Sequence, residues 1–516
     1  MPTNLRFTQK FASSIVSVLG CHDRVIFKGH LPFGGDSYLN CWVDGALKLR
    51  RKDFLPFVEQ HSEALVRHAQ AMAASAGAFY DFLRGPHSKE EIIQQQIRER
   101  RLSEGLVAVL CCLETCRTVK LLYGDGRPRL VFTRRPQRVL YYYFLDPEFG
   151  LIYVRLQTWF PFTIQVYVNG HEWLARQMLH RRLGFEQRDN AFTQLDHPHQ
   201  AQRLADRFPH LPWVRILQRW AQRCNPLLGQ AWLGGRRYRW VIDQAEYSTD
   251  LLFRSRDDLA ALYPRLLEHA LLSFSAADIL TFLGRRLHPR FDGEVLTTCQ
   301  KQRWPGARIK HRMKNNWLKM YDKFGLILRM ETVINQPREF RVRRLRTRHG
   351  HRQMRWCPMN KGVANFYHYH AVARTANERY LDALAVVDPP STTAQHLDRV
   401  CAPVPFHGRR RRGLRLLHPD EQKLFHAVLR GEHHLHGFRN HDVATALFDS
   451  PPPHLAERRR RTAHVSRLLQ LLRAHHLIAK IPHTHRYRIT HHGEALMSSA
   501  LYVRYKAFPK ELKNVA

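Results

Sequence analysis

Acidic residues are scarce in this chain: 44 Asp+Glu face 82 Lys+Arg, a formal net charge of +38 over 516 residues. An imbalance of that size argues for a polyanionic partner. The 33 histidines add positive charge only below about pH 6.5. Long hydrophobic runs are also missing, and no stretch approaches the ~20 apolar residues of a membrane-spanning helix. The opening MPTNLRFTQKFASSIVSVLGC has too short an apolar run for a signal peptide. Nine cysteines form no framework, which suits a reducing cytoplasm. Cys111, Cys112 and Cys116 lie in an apolar run that reads as helical. With no second Cys/His pair at zinc spacing, they read as core rather than as ligands. No P-loop, dinucleotide fingerprint, zinc finger or kinase signature occurs, so neither a nucleotide nor a redox cofactor is indicated.

With 44% hydrophobic and 11% aromatic residues the chain can bury real cores, and its length predicts two to four domains. The expected class is α+β and multidomain. Residues 1–190 read as N-terminal helices (52–83 and 90–116) with an antiparallel sheet, and residues 191–387 as a mixed α+β region. Residues 388–413 read as a basic, Pro-containing linker, whose Arg409 and Arg410 are either phosphate contacts or simply solvated.

Residues 414–516 carry the clearest pattern. A short helix from Pro419 precedes a second one that Asn440 can cap. In the third, Val465, Leu468, Leu469 and Leu472 recur at helical spacing. Its opposite face offers Arg458, Arg459, Arg460, Arg461, Thr462, His464, Ser466 and Arg467, side chains that reach phosphates or base edges. Two short strands follow, with His483, His485 and Arg486 at their turn, and a last helix trails. This order resembles the winged helix-turn-helix DNA-binding domains of MarR-type regulators. The resemblance covers about a fifth of the chain and implies a duplex DNA partner.

The segment 308–335 reads as a long hairpin. Arg308, Lys310, Arg312 and Lys314 alternate along one face as a phosphate track. Tyr321-Asp322-Lys323 follows, then Arg329 and Glu331 two residues apart. A tyrosine beside a carboxylate and a lysine can attack a phosphodiester, given a metal to polarise it and a cation to stabilise developing charge. Tyr321 is then the nucleophile, Lys323 and Arg329 the electrostatic partners, and Asp322 a ligand to Mg²⁺ or Mn²⁺. A second carboxylate is sought among Asp243, Glu246, Asp250 and Glu331. The strings KMYDK and LRME resemble the tyrosine motif of plasmid and phage rolling-circle replication initiators. That resemblance covers about thirty residues and again implies Tyr321 as nucleophile and Asp322 as ligand.

Other features read as weaker. His368 and His370 spell a His-x-His motif, but on a helix they point apart and cannot share a metal. Cys21-His22-Asp23 places three reactive residues in a row without the spatial pairing a Cys/His nucleophile needs. Trp159, Phe160, Phe162 and Tyr167 are base-stacking candidates, with sheet core the favoured reading.

The expectation is a cytoplasmic protein, nucleoid-associated if bacterial, that binds duplex DNA through its C-terminal region. The central region would handle a single strand, as a tyrosine nickase of a replicating or mobile element. The alternatives are a non-enzymatic regulator and an RNA-binding ribonucleoprotein component. An oligomer is compatible with either, and no membrane partner is indicated.

Overall fold

The computed structural model describes residues 6–507 except 86–87, 124–125, 127, 290, 302–306, 349–350, 388–397, 434–436, 449 and 483. The chain divides into two units, Met1–Pro389 and Pro390–Ala516. Among the described residues no helix is long and apolar enough to cross a membrane.

The first unit is built on one eleven-stranded sheet. Its strands are β1 (Ile15–His30), β2 (Phe79–Phe82), β3 (Gly105–Leu122), β4 (Arg129–Asp146), β5 (Gly150–Gln157) and β6 (Ile164–Asn169). After a small separate hairpin, β7 (Phe185–Arg188) and β8 (Ala191–Leu195), come β9 (Arg239–Phe253), β10 (Val295–Lys301), β11 (Ala307–Met313), β12 (Asn316–Lys323) and β13 (Ile327–Ile334). The spatial order is β10-β11-β12-β13-β9-β1-β6-β5-β4-β3-β2, antiparallel except where β2 meets β3. The first strand of the chain therefore sits mid-sheet, paired to β6 on one side and β9 on the other. This pairing corrects the boundary expected at residue 190: β1 joins both expected regions in one sheet. Turn and linker signals are local, whereas this pairing spans more than two hundred residues.

The helices are α1 (Phe7–Lys10), α2 (Asp36–Gly45), α3 (Phe54–Ser75), α4 (Lys89–Arg100), α5 (Gly170–His180), α6 (Pro198–Ala205), α7 (Trp213–Cys224), α8 (Arg256–Leu272), α9 (Ala276–Phe282) and α10 (Phe366–Leu384). The helix expected over 90–116 stops at Arg100, where Arg101 turns left-handed at φ 49°. Residues 105–122 are strand, so the cysteine-bearing run is sheet core, with Cys111, Cys112 and Cys116 buried. A strand buried on both faces reads as a continuous apolar run, which periodicity cannot separate from a helix. Pro136 lies within β4 without breaking it. Pairing of β4 with β5 begins only at Val139, so the missing amide falls on an unpaired edge.

Along β5, β6 and β12, buried and half-buried residues alternate. One face of the sheet is thus closed and the other partly open. Helix α10 lies on the closed face, pinned by Asn377, which is fully buried. Its amide donates to Thr249 Oγ1 at 3.1 Å and to the carbonyls of Tyr247 and Met330, both at 3.2 Å. Its oxygen accepts from Thr332 Oγ1 at 2.7 Å.

The second unit has its own core of Leu424, Phe425, Val443, Val465, Leu469, Leu472, Leu477 and Met497. Its order is a hairpin, Val404–Phe406 with Arg409–Arg411, then helices Pro419–Val428, Asn440–Leu447 and Leu455–Ala474. A second hairpin, Ile478–Lys480 with Tyr487–Ile489, and the helix His491–Tyr502 complete it. Asn440 begins its helix instead of capping it. Its side chain donates to Ser466 Oγ at 2.8 Å, tying the second helix to the third.

Replacing Asn377 by Leu strands two hydroxyls and two carbonyls in the core. It should lower the unfolding free energy by roughly 2–4 kcal/mol. All 10 tryptophans lie in the first unit, so their fluorescence in a urea titration reads that unit alone.

Candidate functional site

The open sheet face is polar at its centre because the register of four strands lines up charges. Lys319 on β12 faces Glu331 on β13, which faces Ser248 on β9. One row along, Tyr321 faces Arg329, which faces Asp250. Strand β1 adds Asp23 through a one-residue bulge: Asp23 and Arg24 together oppose Glu246, between the pairs His22–Tyr247 and Val25–Ala245. A bulge re-aims side chains, here onto the open face.

Arg329 is the hub and is fully buried. It grips Asp250 with two hydrogen bonds of 2.6 Å, donates to the Asn190 carbonyl at 2.6 Å and lies 3.5 Å from Asp23 Oδ2. Burial disfavours its charge, but Asp250 and Asp23 hold its proton more firmly than water does. Asp23 also accepts from Asn169 Nδ2 at 3.1 Å and Asn190 Nδ2 at 2.5 Å. Asn169 caps α5, and His171 in the first turn of that helix sits 3.7 Å from Asp23. Burial pushes the Asp23 carboxyl up, but His171, Arg329 and Lys323 outweigh it, so Asp23 stays ionised well below the usual carboxylate range.

Beside this hub, ligand oxygens of Asp23, Glu246 and Glu331 all lie within 4.8 Å of one another. Oxygens so placed could hold a metal ion, since hard cations take such ligands at about 2.0–2.6 Å. The Tyr321 hydroxyl donates to Glu331 Oε2 at 2.6 Å, and Lys319 donates to Glu331 Oε1. Burial and Glu331 keep the Tyr321 phenol protonated far above its ordinary range. Glu246 makes no ion pair among the described residues, although Lys319 and Arg24 lie near enough to favour its charge; its carboxylate accepts from the Gln244 amide at 2.5 Å. Burial, followed by repulsion from Glu331, pushes its carboxyl up to about 7. Within the cluster, Glu246 is the acidic group whose charge is least compensated.

Several expected roles move. Arg329 is sealed between carboxylates and is not open to a substrate. Asp322, expected as a ligand, projects to the other face of β12. It accepts from the Gly325 amide at 2.9 Å to close a turn, and burial raises it to about 6. Adjacent strand residues point oppositely, so Tyr321 and Asp322 cannot share a metal. Asp243 is likewise not among the clustered carboxylates: it pairs with Lys361 at 3.7 Å. Lys323 is held by Asp189 at 3.0 Å and by Asn190, beside the cluster. Burial and Arg329 lower its pKa. Glu331 and Tyr321 do meet. In the sequence Asp23 stands only within the reactive run Cys21-His22-Asp23, and nothing local shows that it meets Glu246 and Glu331.

Arg308 and Lys310 are half-exposed and Arg312 is exposed, and Lys310 faces Lys319 across the sheet. Lys314 leaves this track: it turns left-handed at φ 53° and pairs with Glu339 at 3.1 Å. His370 points at Asp206, 3.5 Å away, and shares no ligand set with His368. The Cys21–His22 pair does not form: the buried thiol donates to the His22 carbonyl, and the imidazole packs against Phe366 and His370. Phe160 and Phe162 are core, while Tyr167 is half-buried and stacks on Tyr153 at 4.9 Å.

In the second unit Arg458, Arg459, Arg460, Thr462, His464 and Arg467 are exposed on the helix Leu455–Ala474; Arg460, His464 and Arg467 lie opposite buried Val465, Leu469 and Leu472, whereas Arg458 and Thr462, seven and three residues before Val465, share its side of the helix. Arg461 bonds Glu457 at 3.1 Å, and Ser466 is held by Asn440. Arg409, Arg410 and His485 are exposed, and Arg486 is half-buried, within reach of the Gly437 carbonyl. His483 lies outside the described residues.

Two outcomes follow from this charge arrangement. Arg329→Met should destabilise the first unit by roughly 3–5 kcal/mol, because two carboxylates lose their buried partner. For Glu246, a folded pKa above the unfolded value means stability present below about pH 4.5 and lost as pH rises through about 7. Glu246→Gln should therefore raise stability at pH 8, without divalent cations, by on the order of 2 kcal/mol. It should change little at pH 4.5, both read by tryptophan fluorescence in urea.

No family model, no curated protein and no solved structure matches this chain.

Proposed function

We propose that this chain binds DNA and cleaves one strand through Tyr321, as in replication or mobilisation of a genetic element. Asp23, Glu246 and Glu331 would hold Mg²⁺ or Mn²⁺. The observation that carries this reading is the Tyr321 hydroxyl hydrogen-bonded to one of three clustered, largely buried carboxylates. The residues fit a cation: Glu246 makes no ion pair among the described residues, and a divalent ion would relieve the repulsion from Glu331 that adds to burial in raising its carboxyl.

Bound there, the ion would polarise a phosphodiester. The chain's own groups do the rest. Tyr321 Oη forms a bond to phosphorus as one phosphorus–oxygen bond to the sugar breaks. The phenolic proton passes to Glu331, which already accepts its hydrogen bond, and Lys319 supplies a proton to the departing sugar oxygen. Arg308, Lys310 and Arg312 lie along the same half of the sheet and suit a phosphate backbone leading to the site. Arg329 acts as a positioning residue that fixes Asp23 and Asp250.

For the second unit we infer a winged helix-turn-helix that docks a duplex. Its support is the order of three helices, a two-stranded hairpin and a trailing helix, with exposed Arg460 and Arg467 opposite the buried stripe of the third helix. Those same arginines favour the second reading, a regulator that binds duplex DNA without cutting it, because they act without any active site.

Supercoiled plasmid and single-stranded DNA, each with Mg²⁺ or Mn²⁺, separate the two. Nicking and a covalent protein–DNA adduct on a denaturing gel are expected. Tyr321→Phe should abolish both, while binding in a gel shift stays within about twofold. Glu246→Gln should remove the calorimetric signal for Mn²⁺ binding. Cleavage by the Tyr321→Phe protein at the wild-type rate would exclude Tyr321 as nucleophile. Tight binding without cleavage on either substrate would favour the regulator.

A further inference from the structure

After the main sheet the chain forms a second, separate two-stranded ribbon, Arg341–Arg348 with His351–Pro358. Its base is anchored: Phe340, Val342, Cys357 and Met359 are buried, and the Met359 amide donates to the Phe340 carbonyl at 2.9 Å. Beyond that base the ribbon stands in solvent. Leu345 is 54%, Met354 52% and Trp356 63% exposed. A two-stranded ribbon with neither face buried is marginal by itself in water, so its retention at this length calls for a partner.

Charge identifies the class of that partner. Residues 341–358, RVRRLRTRHGHRQMRWCP, contain seven arginines and no acidic residue. Among the described residues, Arg341, Arg343, Arg346 and Arg352 form no ion pair, and the nearest acceptor of Arg355 is Gln353 at 3.2 Å. Arg344 stands directly opposite Arg355 in the register, and Arg346 opposite Gln353. Like charges directly opposite destabilise a sheet, so this face is arranged against its own stability and suits a polyanion. The other face pairs Arg343 with Trp356, Leu345 with Met354 and Thr347 with Arg352.

We propose that the ribbon is a duplex-DNA-binding arm of the first unit, lying in the major groove with exposed Arg346, Gln353 and Arg355 toward the base edges. The B-DNA major groove is about 12 Å wide and admits a two-stranded ribbon. Arginine and glutamine are the side chains that pair in two-bond fashion with guanine and adenine there. The A-form RNA major groove is too narrow for such an element, so duplex DNA is the partner. This arm is independent of the tyrosine site and of the second unit.

The test uses the full chain with EDTA and fluorescein-labelled duplex DNA, duplex RNA and single-stranded DNA of one sequence, by anisotropy across a salt series. Arg346→Gln with Arg355→Gln changes the proposed groove face; Arg343→Gln with Arg352→Gln removes equal charge from the other. Both pairs are exposed, so melting should be unchanged. The groove-face variant should bind duplex DNA at least roughly tenfold more weakly, with the log affinity–log salt slope little changed, because base-edge contacts neutralise no phosphate. The other variant should lose less than half as much, and duplex RNA binding should fall equally little in both. Each variant is repeated with Arg458, Arg459 and Arg460 changed to Gln, so contacts from the second unit cannot mask the arm. Failure of the winged-helix reading would appear separately, as no effect of those three substitutions. Unchanged duplex DNA binding in both backgrounds would overturn the arm. Equal losses from the two faces, or a loss confined to RNA or single strands, would overturn its placement in the major groove.

Discussion

The buried guanidinium of Arg329 is the constraint on which the first unit turns. It lies between Asp250 and Asp23 with no access to solvent. A lone ion there would be untenable, and removing any one partner leaves an uncompensated charge in a medium of low dielectric. Strands β13, β9 and β1 and the residues around Asn190 must therefore be in place together. The same requirement explains why a strand from the start of the chain lies mid-sheet: without the β1 bulge, Asp23 would not reach the cluster.

Charge balance around that hub sets the character of the site. Asp250 and Asp23 are matched by Arg329, and Glu331 by Lys319 and the Tyr321 hydroxyl. Half-buried Glu246 is left without an ion pair among the described residues. Its raised carboxyl is the physical trace of that surplus. A site that keeps an unneutralised carboxylate beside two others is prepared for a positive ligand or a proton. The tyrosine next to it then has a hydrogen-bond acceptor already in position.

Positive charge elsewhere is displayed rather than matched. The second unit sets arginines on the free face of its longest helix, and the ribbon at 341–358 holds like charges opposite each other. Both arrangements sacrifice some internal stability for an external field. The track of Arg308, Lys310 and Arg312 beside the carboxylate cluster follows the same pattern at smaller scale. Lys314 and Arg329, which read alike in sequence, are instead consumed by internal ion pairs.

Much of this was legible from the sequence. Helical spacing locates the stripe of Val465, Leu469 and Leu472, and the alternation of Arg308, Lys310 and Arg312 locates the hairpin that holds β11–β13, because those periods are properties of consecutive residues. Tyr321 and Glu331 were found for the same reason: their strands pair through a tight hairpin, so proximity in sequence becomes proximity in space. The run around Cys111 misled, since a doubly buried strand has no period of its own. What the sequence by itself determined was the strongly basic charge, the α+β class and the local elements. The tertiary structure alone decided that Asp23 and Glu246 join Glu331, that Asp322 turns away and that Arg329 is sealed. Each depends on register and on a bulge between strands far apart in the chain, and no local pattern encodes either.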